Sequence, residues 1–395
     1  MKWLESIIKK DERLVIGLIS GTSMDGIDTA LVRVNGSGFD ARIELVDFAS
    51  YPYENRVRFA LQEINNLSAI KLSDLNFVIG EAFSDATISI IEKAGLTPDE
   101  IDLVGSHGQT IYHNPPSNES EFSSTLQIGE ADVIAEKTGI TTIADFRTRD
   151  MALGGEGAPL VPYVDYLLFR EADRVKIALN IGGIANSTLV TSDLEEVFAY
   201  DSGPGNMLID DIVRIHTNGK KNYDYNGIFA SGGKVEYKIL DNLLNNDYYK
   251  EPPPKTTGRE KYGRKEAEKL YKLVENKSFN LEVLISTLVQ FTVDTICNSY
   301  EDFIFSKWKI DEVILSGGGA FNPVMVERLK EKLKPIPLTI SDKYNIPPDS
   351  KEAIAFAILA NETIFTNYSN LPNVTGARSG APLGKISIGK NRLVK

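Results

Sequence analysis

The sequence predicts an α/β protein of two related lobes around a central cleft. Strand-like apolar runs alternate with stretches of helical spacing along the chain. The series strand, glycine-containing turn, strand, strand, helix occurs twice, starting near residue 13 and again near residue 175. Three glycine-rich turns each stand at the end of an apolar strand. Alternating elements favour sheets covered by helices on both faces, and a series used twice marks an internal repeat.

Residues 13–20 (RLVIGLIS) are the first apolar run. The turn GTSMDGID follows, and TALVRVN and ARIELVDFASY complete a meander. Helical spacing takes over in ENRVRFALQEINN and SDLNFVIGEAFSDATISIIEKAG. IDLVGS is a short buried strand ending at HGQTIYH, and STLQIG, ADVIAEKTG and TTIADF read as strand, helix, strand. The second half opens in the same way with VKIALNIGG, IANSTLVT and EEVFAYDSG, then the helix NMLIDDIVRIH. Residues 219–262, with three prolines at 252–254, form a polar excursion within the second lobe. Two long helices (EAEKLYKLVENK and LEVLISTLVQFTVDTICNSYEDFI), the strand DEVILSGGG, the helix NPVMVERLKEKL, the strand PLTISD and the helix KEAIAFAILANETIF complete the lobe. LGKISI is a last strand in the tail. Lobe one is expected to take residues 1–140 and 376–395, and lobe two residues 141–375.

The chain has 395 residues, 42% hydrophobic and 25% charged, which supplies about two or three packed domains. A formal charge of -12 and a pI near 5.0 disfavour nucleic acid and anionic membrane as partners, because no long basic patch offsets them. Small anions are still bindable through backbone amides. The single cysteine, Cys297, allows no intrachain disulfide and suits the cytoplasm. It lies in the apolar helical run FTVDTICNSY as a small buried side chain. No apolar stretch nears the roughly 20 residues that span a bilayer. The start, MKWLESIIKKDER, reads as an extension rather than a signal peptide.

The glycine turns carry the first chemical signal. They are Gly21-Thr22-Ser23-Met24-Asp25-Gly26-Ile27-Asp28, then NIGGIAN with Gly182, Gly183 and Asn186, then SGGGAF with Gly317, Gly318 and Gly319. Glycine lets backbone N–H groups come close to a phosphate, and Ser and Thr add hydroxyl donors. Neither GxxxxGK[ST] nor GxGxxG stands in the right setting, so the nucleotide fold is one that uses two hairpin turns as jaws. This pattern resembles the actin, Hsp70 and hexokinase superfamily, whose lobes are duplicated ribonuclease-H-like sheets. The resemblance implies an ATP site with residues 21–28 as the first phosphate loop and Gly182, Gly183 and Asn186 as the second. Asp201, Gly203, Gly205 and Asn206 would lie beside the second loop, and Gly317–Gly319 would meet the nucleoside. It also implies Mg²⁺ oriented by a carboxylate, usually through water. Asp25, Asp28 and Asp201 are candidates, and each suits a turn or cap role equally well.

ISGTSMDGID, GSHGQTIYH, ADFRTRDMALGGEGAPLVPYVD, LNIGGIAN, DSGPGN, PPPKTTGRE and LSGGGAFNP occur in this order. Together they resemble the anhydro-N-acetylmuramic acid kinase family, over nearly the whole chain. One departure is Glu156, where the family pattern has Gln (GGQGAP). The resemblance implies a cytoplasmic homodimer in cell-wall sugar recycling that takes 1,6-anhydro-N-acetylmuramic acid, ATP and water to N-acetylmuramic acid 6-phosphate and ADP. Water would open the anhydro bridge while O6 takes the γ-phosphate.

On this resemblance Asp150, at the end of DFRTRD, is the base for water. A free aspartate carboxyl, with a pKa of about 3.9, is ionised at neutral pH but weakly basic. Proton transfer must then be concerted with bond breaking, or burial must strengthen the base. The bland alternative pairs Asp150 with Arg147 or Arg149 on a surface turn. His107, Gly108 and Gln109 follow a buried strand, and their imidazole and amide groups suit sugar hydroxyls and a lactyl carboxylate, with His113 further along. Arg147 can pair bidentately with a carboxylate or phosphate. Glu352 reads either as a sugar contact or as a first-turn helix acid, and Lys255 and Arg259 read as solvated. Two competing functions share the fold: an ordinary hexose or acetamido-sugar kinase, and a nucleotide-driven conformational switch.

Overall fold

The computed structural model describes residues 2–21, 24, 26–64, 67–116 and 122–390. Thr22, Ser23 and Asp25 of the first glycine turn lie outside the described residues. In chain order the strands are β1 (Glu12–Ser20), β2 (Gly26–Asn35), β3 (Arg42–Pro52), β4 (Leu103–Asn114), β5 (Ser124–Ile128) and β6 (Thr142–Ala144). Then come β7 (Lys176–Ile181), β8 (Ile184–Val190), β9 (Phe198–Pro204), β10 (Glu312–Ser316), β11 (Leu338–Ile340) and β12 (Lys385–Ser387).

One sheet runs β12-β6-β4-β1-β2-β3, with β5 paired to β4. The other runs β11-β10-β7-β8-β9. In each, an antiparallel meander of three strands is extended past its first strand by two parallel strands. This is the duplicated ribonuclease-H-like arrangement, mixed α/β throughout, that the internal repeat predicts. The runs LVIGLIS and KIALNI are apolar almost without alternation because both faces of β1 and β7 are covered.

The chain divides into two compact units, residues 1–168 with 350–395, and residues 169–349. The expected boundaries at 140/141 and 375/376 are therefore corrected. Residues 141–168 join the first unit because β6 continues its sheet, with Thr142 opposite Val104. Residues 350–375 join it because the helix Lys351–Ile364 packs directly on β1 and β4. Gly17 and Gly105 permit this approach: a Cβ on Gly17 would strike the Ala353 carbonyl, and one on Gly105 the Phe356 carbonyl. The 219–262 excursion stays in the second unit and folds into short helices, among them Tyr237–Leu244. Cys297 is buried in the helix Leu281–Phe303 of that unit.

Candidate active site

The chemistry of the first unit gathers where β4 passes the end of β1. The HGQT cluster does not follow β4 but lies inside it, at an irregularity where Leu18 pairs with Ser106 and Ser20 with Gln109. Gly108 takes a φ of +75° there, and such a bulge re-aims the side chains on either side. His107 is buried, and its Nε2 accepts from Arg147 Nε at 2.9 Å. An Nε2 that accepts leaves the proton on Nδ1, which lies 3.0 Å from the Gly108 carbonyl and donates to it. Burial, with the Arg147 charge adding to it, drives His107 well below the usual histidine range, so the ring is neutral. Both ring nitrogens are thus engaged, and His107 orients Arg147.

Gln109 is fully buried and faces the first glycine turn. The Ser20 hydroxyl lies 2.7 Å from the Gln109 side-chain oxygen and 2.7 Å from the Gly26 carbonyl. Gln109 Nε2 also donates to the Gly21 carbonyl at 3.3 Å. Of the remaining turn residues, Met24 holds a φ of 56° and its N–H donates to the Gly21 carbonyl. Ile27 belongs to the core, and Asp28 lies on β2, accepting from Ser50 Oγ at 2.5 Å.

Asp150 lies in the last turn of the short helix Phe146–Ala152 and is 0% exposed. Neither Arg147 nor Arg149 pairs with it. Its Oδ1 accepts from Asn370 Nδ2 and Thr375 Oγ1, both at 2.7 Å, and its Oδ2 from the Gly157 N–H at 2.8 Å. A carboxylate offers about four acceptor positions, so three are filled and the group is held rigidly. Gly157 links the cluster, since its carbonyl accepts from Arg147 at 3.2 Å. Glu156 precedes it, with its N–H bonded to the Thr375 carbonyl at 2.8 Å. Burial lowers Arg147 to about 10, against the raising effect of Glu352, and it stays cationic at neutral pH. Glu352 is pushed above the usual carboxyl range by burial, with Lys351 and Arg147 opposing.

The second unit gathers the other glycine turns. The Gly182 carbonyl accepts from the Asn206 N–H at 2.8 Å, and the Gly183 carbonyl from the N–H groups of Gly205 and Met207 at 2.9 and 3.1 Å. Asn206 Nδ2 also donates to the Ile181 carbonyl at 3.3 Å. Asn186 stands opposite Asp201 on the neighbouring strand, and Gly203 follows two residues later with a φ of +155°. The Gly317–Gly319 turn packs on the same hairpin. Beside it opens a pocket of about 420 Å³, within the range of small-molecule sites. Asn206 and Gly318 line it together with Tyr223, Tyr225, Asn226, Phe321 and Asn322. The rings of Tyr223, Tyr225 and Phe321 are each more than half exposed.

Residues 13–389 match the family profile described as anhydro-N-acetylmuramic acid kinase. The chain belongs to the anhydro-N-acetylmuramic acid kinase family. It is 47% identical over 396 residues to the "Anhydro-N-acetylmuramic acid kinase" of Caldanaerobacter subterraneus subsp. tengcongensis, covering 98% of this chain and 100% of that relative. The protein of the same name from Bacillus thuringiensis subsp. konkukian is 43% identical over 380 residues, covering 94% and 98%. Among solved structures, a ROK family glucokinase from Streptomyces griseus in complex with glucose and AMPPNP is similar at 10% identity and a TM-score of 0.37, covering 88% of this chain and 99% of that one. The fold assignment rests on strand order and not on that likeness.

As a member of the anhydro-N-acetylmuramic acid kinase family, the protein is an ATP-using phosphotransferase with an alcohol group as acceptor. No helix among the described residues is long and apolar enough to cross a membrane. Likewise among them, no group of three or more His, Cys, Asp or Glu side chains is placed to hold a metal ion. Of the carboxylates expected near Mg²⁺, Asp25 lies outside the described residues and Asp28 is bonded to Ser50. Asp201 fits better: its Oδ2 accepts from the Thr257 N–H at 2.9 Å, and Thr257 carries a buried hydroxyl without a hydrogen-bond partner among the described residues. These are hard oxygen donors, of the kind a hydrated Mg²⁺ takes.

Sequence reasoning missed Asn370, Thr375 and Gly157 around Asp150, and the aromatic rim at 223–225 and 321. Only Gly157 had a signal, inside GGEGAP. Lys255, read as solvated, is in fact only 7% exposed.

Proposed function

We propose that this kinase couples two bond changes on 1,6-anhydro-N-acetylmuramic acid. Water bonds to the anomeric carbon as the carbon–O6 bond breaks, O6 bonds to the γ-phosphorus, and ADP leaves. The proton of the attacking water passes to Asp150. The product is N-acetylmuramic acid 6-phosphate.

What supports this most is the setting of Asp150: three donors fix the carboxylate, one acceptor position is left, and Arg147 is tied to it through one residue, Gly157. A fixed acceptor needs no reorganisation when the proton arrives, which is where a positioned base gains its effect. Arg147, oriented by His107, offers its guanidinium to the sugar's lactyl carboxylate, with Glu352 and Gly108 completing the sugar contacts. Gln109 acts one step back, setting the start of the 21–28 turn that receives phosphate. The Gly182–Gly183 turn receives the remaining phosphates, braced by the N–H groups of Gly205 and Asn206 on its carbonyls, and the pocket at Tyr223, Tyr225 and Gly318 takes the nucleoside. Asp201 would hold Mg²⁺ through water, and the ion, when bound, neutralises phosphate charge. A cytoplasmic location suits the lone buried cysteine, and the homodimer rests on the family resemblance alone.

Turnover in ¹⁸O-labelled water tests the coupling. Label is expected on the anomeric oxygen of the 6-phosphate in samples taken before anomeric exchange. Unlabelled product would leave a plain sugar kinase.

A further inference from the structure

The segment PPPKTTGRE enters none of the roles above except through Thr257. Its lysine is nevertheless buried. Lys255 Nζ donates to the carbonyls of Tyr248 and Tyr249 at 3.0 and 3.3 Å, and lies 4.8 and 4.9 Å from the ring centres of Tyr248 and Phe303. The ammonium thus closes residues 248–255 into a loop. The loop and its continuation grip one residue. Tyr248 Oη donates to the Asp201 carbonyl at 2.7 Å, the Asp201 N–H donates to the Lys255 carbonyl at 3.0 Å, and the Thr257 N–H donates to Asp201 Oδ2 at 2.9 Å. The main chain of Asp201 is held on both sides and its carboxylate is held as well. Burying an ammonium against aromatic faces and neutral carbonyls costs desolvation free energy, and a surface loop gains nothing from that unless the geometry matters.

We infer that Lys255 is a positioning residue: it locks the 248–257 segment so that the Asp201 carboxylate keeps one orientation toward the nucleotide phosphates and their metal ion. This rests on the reading of Asp201 given above. It acts on Asp201 alone, so the sugar site should not feel its loss.

Lys255→Met keeps the stem and removes the donors. The KM for ATP and the half-saturating Mg²⁺ concentration should each rise about tenfold, the scale of one hydrogen bond to a charged group, with the sugar KM held within about twofold. Amide hydrogen exchange at Asp201 and Thr257 should quicken without ligand present. Tyr248→Phe keeps the ring and loses one contact to Asp201; about a threefold shift of the same two constants is expected, and this variant decides the matter if Lys255→Met does not fold. A lower melting temperature with unchanged ATP and Mg²⁺ constants would make the lysine a packing residue and overturn the proposal. Asp201→Asn separates the two levels. If it leaves both constants unchanged, the phosphate-site reading falls, and the clamp with it. If it shifts them while Lys255→Met and Tyr248→Phe do not, only the clamp falls.

Discussion

The two sheets share one strand order and use the same place in it differently. In the first unit β4 runs beside β1 until Ser106 meets Leu18, then continues as His107, Gly108 and Gln109. In the second, β10 runs beside β7 until Ser316 meets Asn180, then continues as Gly317, Gly318 and Gly319. The first unit joins this position to its hairpin with a side chain, Gln109 to Ser20 and Gly21. The second joins it by having no side chains at all. A Cβ on Gly317 would lie 2.7 Å from the Ile181 carbonyl, and one on Gly319 2.5 Å from the Ile181 side chain. A single scaffold position thus serves side-chain chemistry in one unit and close backbone packing in the other. Under the proposed function, sugar contacts fall to this position in the first unit and nucleotide contacts to it in the second.

The largest test of the division is Asp150→Asn. The amide would direct N–H toward groups that are themselves donors, and it cannot accept the water proton. Turnover should fall by about 10³-fold or more, within the range for losing a general base, while ATP affinity changes by only a few-fold. Direct nucleotide binding checks the second half. A parallel loss of ATP affinity would mean that Asp150 serves the nucleotide as well as the sugar.

The mirror-image test is Gly317→Ala in the second unit. Gly317 holds φ 82° and ψ 173°, a region almost reserved for glycine. The strain costs about 1–3 kcal/mol, and the new methyl would displace Asn180 or the Ile181 carbonyl. The KM for ATP should rise about tenfold, with the sugar KM little altered. Steady-state kinetics with each substrate varied in turn would show the split, and equal changes in both KM values would break the comparison.

Most of this scaffold was legible in the sequence. The two meanders, the late strands 312–316 and 338–340, and the helix at 351–364 follow from apolar runs and 3.6-residue spacing. The boundary between the units did not, because it depends on a long-range choice. Nothing local in KEAIAFAILA says that it will lie on β1 and β4, and the pairing is made possible by Gly17 and Gly105 far away in sequence. The same limit explains the site. Asp150, Arg147 and Gly157 stand inside one motif, but the two side chains that hold Asp150 come from positions 370 and 375, more than two hundred residues later. The burial of Lys255 was invisible for a related reason. A run of prolines, lysine and threonines reads as solvated until Tyr248 and Phe303 fold over the amine.

The smallest effect concerns acid. Burial and, secondarily, the nearby Arg147 charge lower His113 to about 4, and its Nδ1 lies 3.1 Å from Thr125 Oγ1. His107 is lowered as well, and both belong to the first unit. An unfolded histidine titrates near 6.5, so between about 6.5 and 4 the unfolded chain binds more protons than the folded one, and stability falls as pH falls. Glu352 works the other way: its raised pKa gives stability that is present in acid and lost as pH rises through the folded value. A bare melting curve mixes the two signs, and only a difference isolates the histidine. His113→Gln keeps an amide that can reach Thr125 and cannot gain the charge. Between pH 7 and pH 5 its melting temperature should drop by about 2 °C less than that of the natural sequence. Equal drops would show that His113 is solvated well enough to protonate freely in the folded first unit, and would remove the acid sensitivity that distinguishes it from the second.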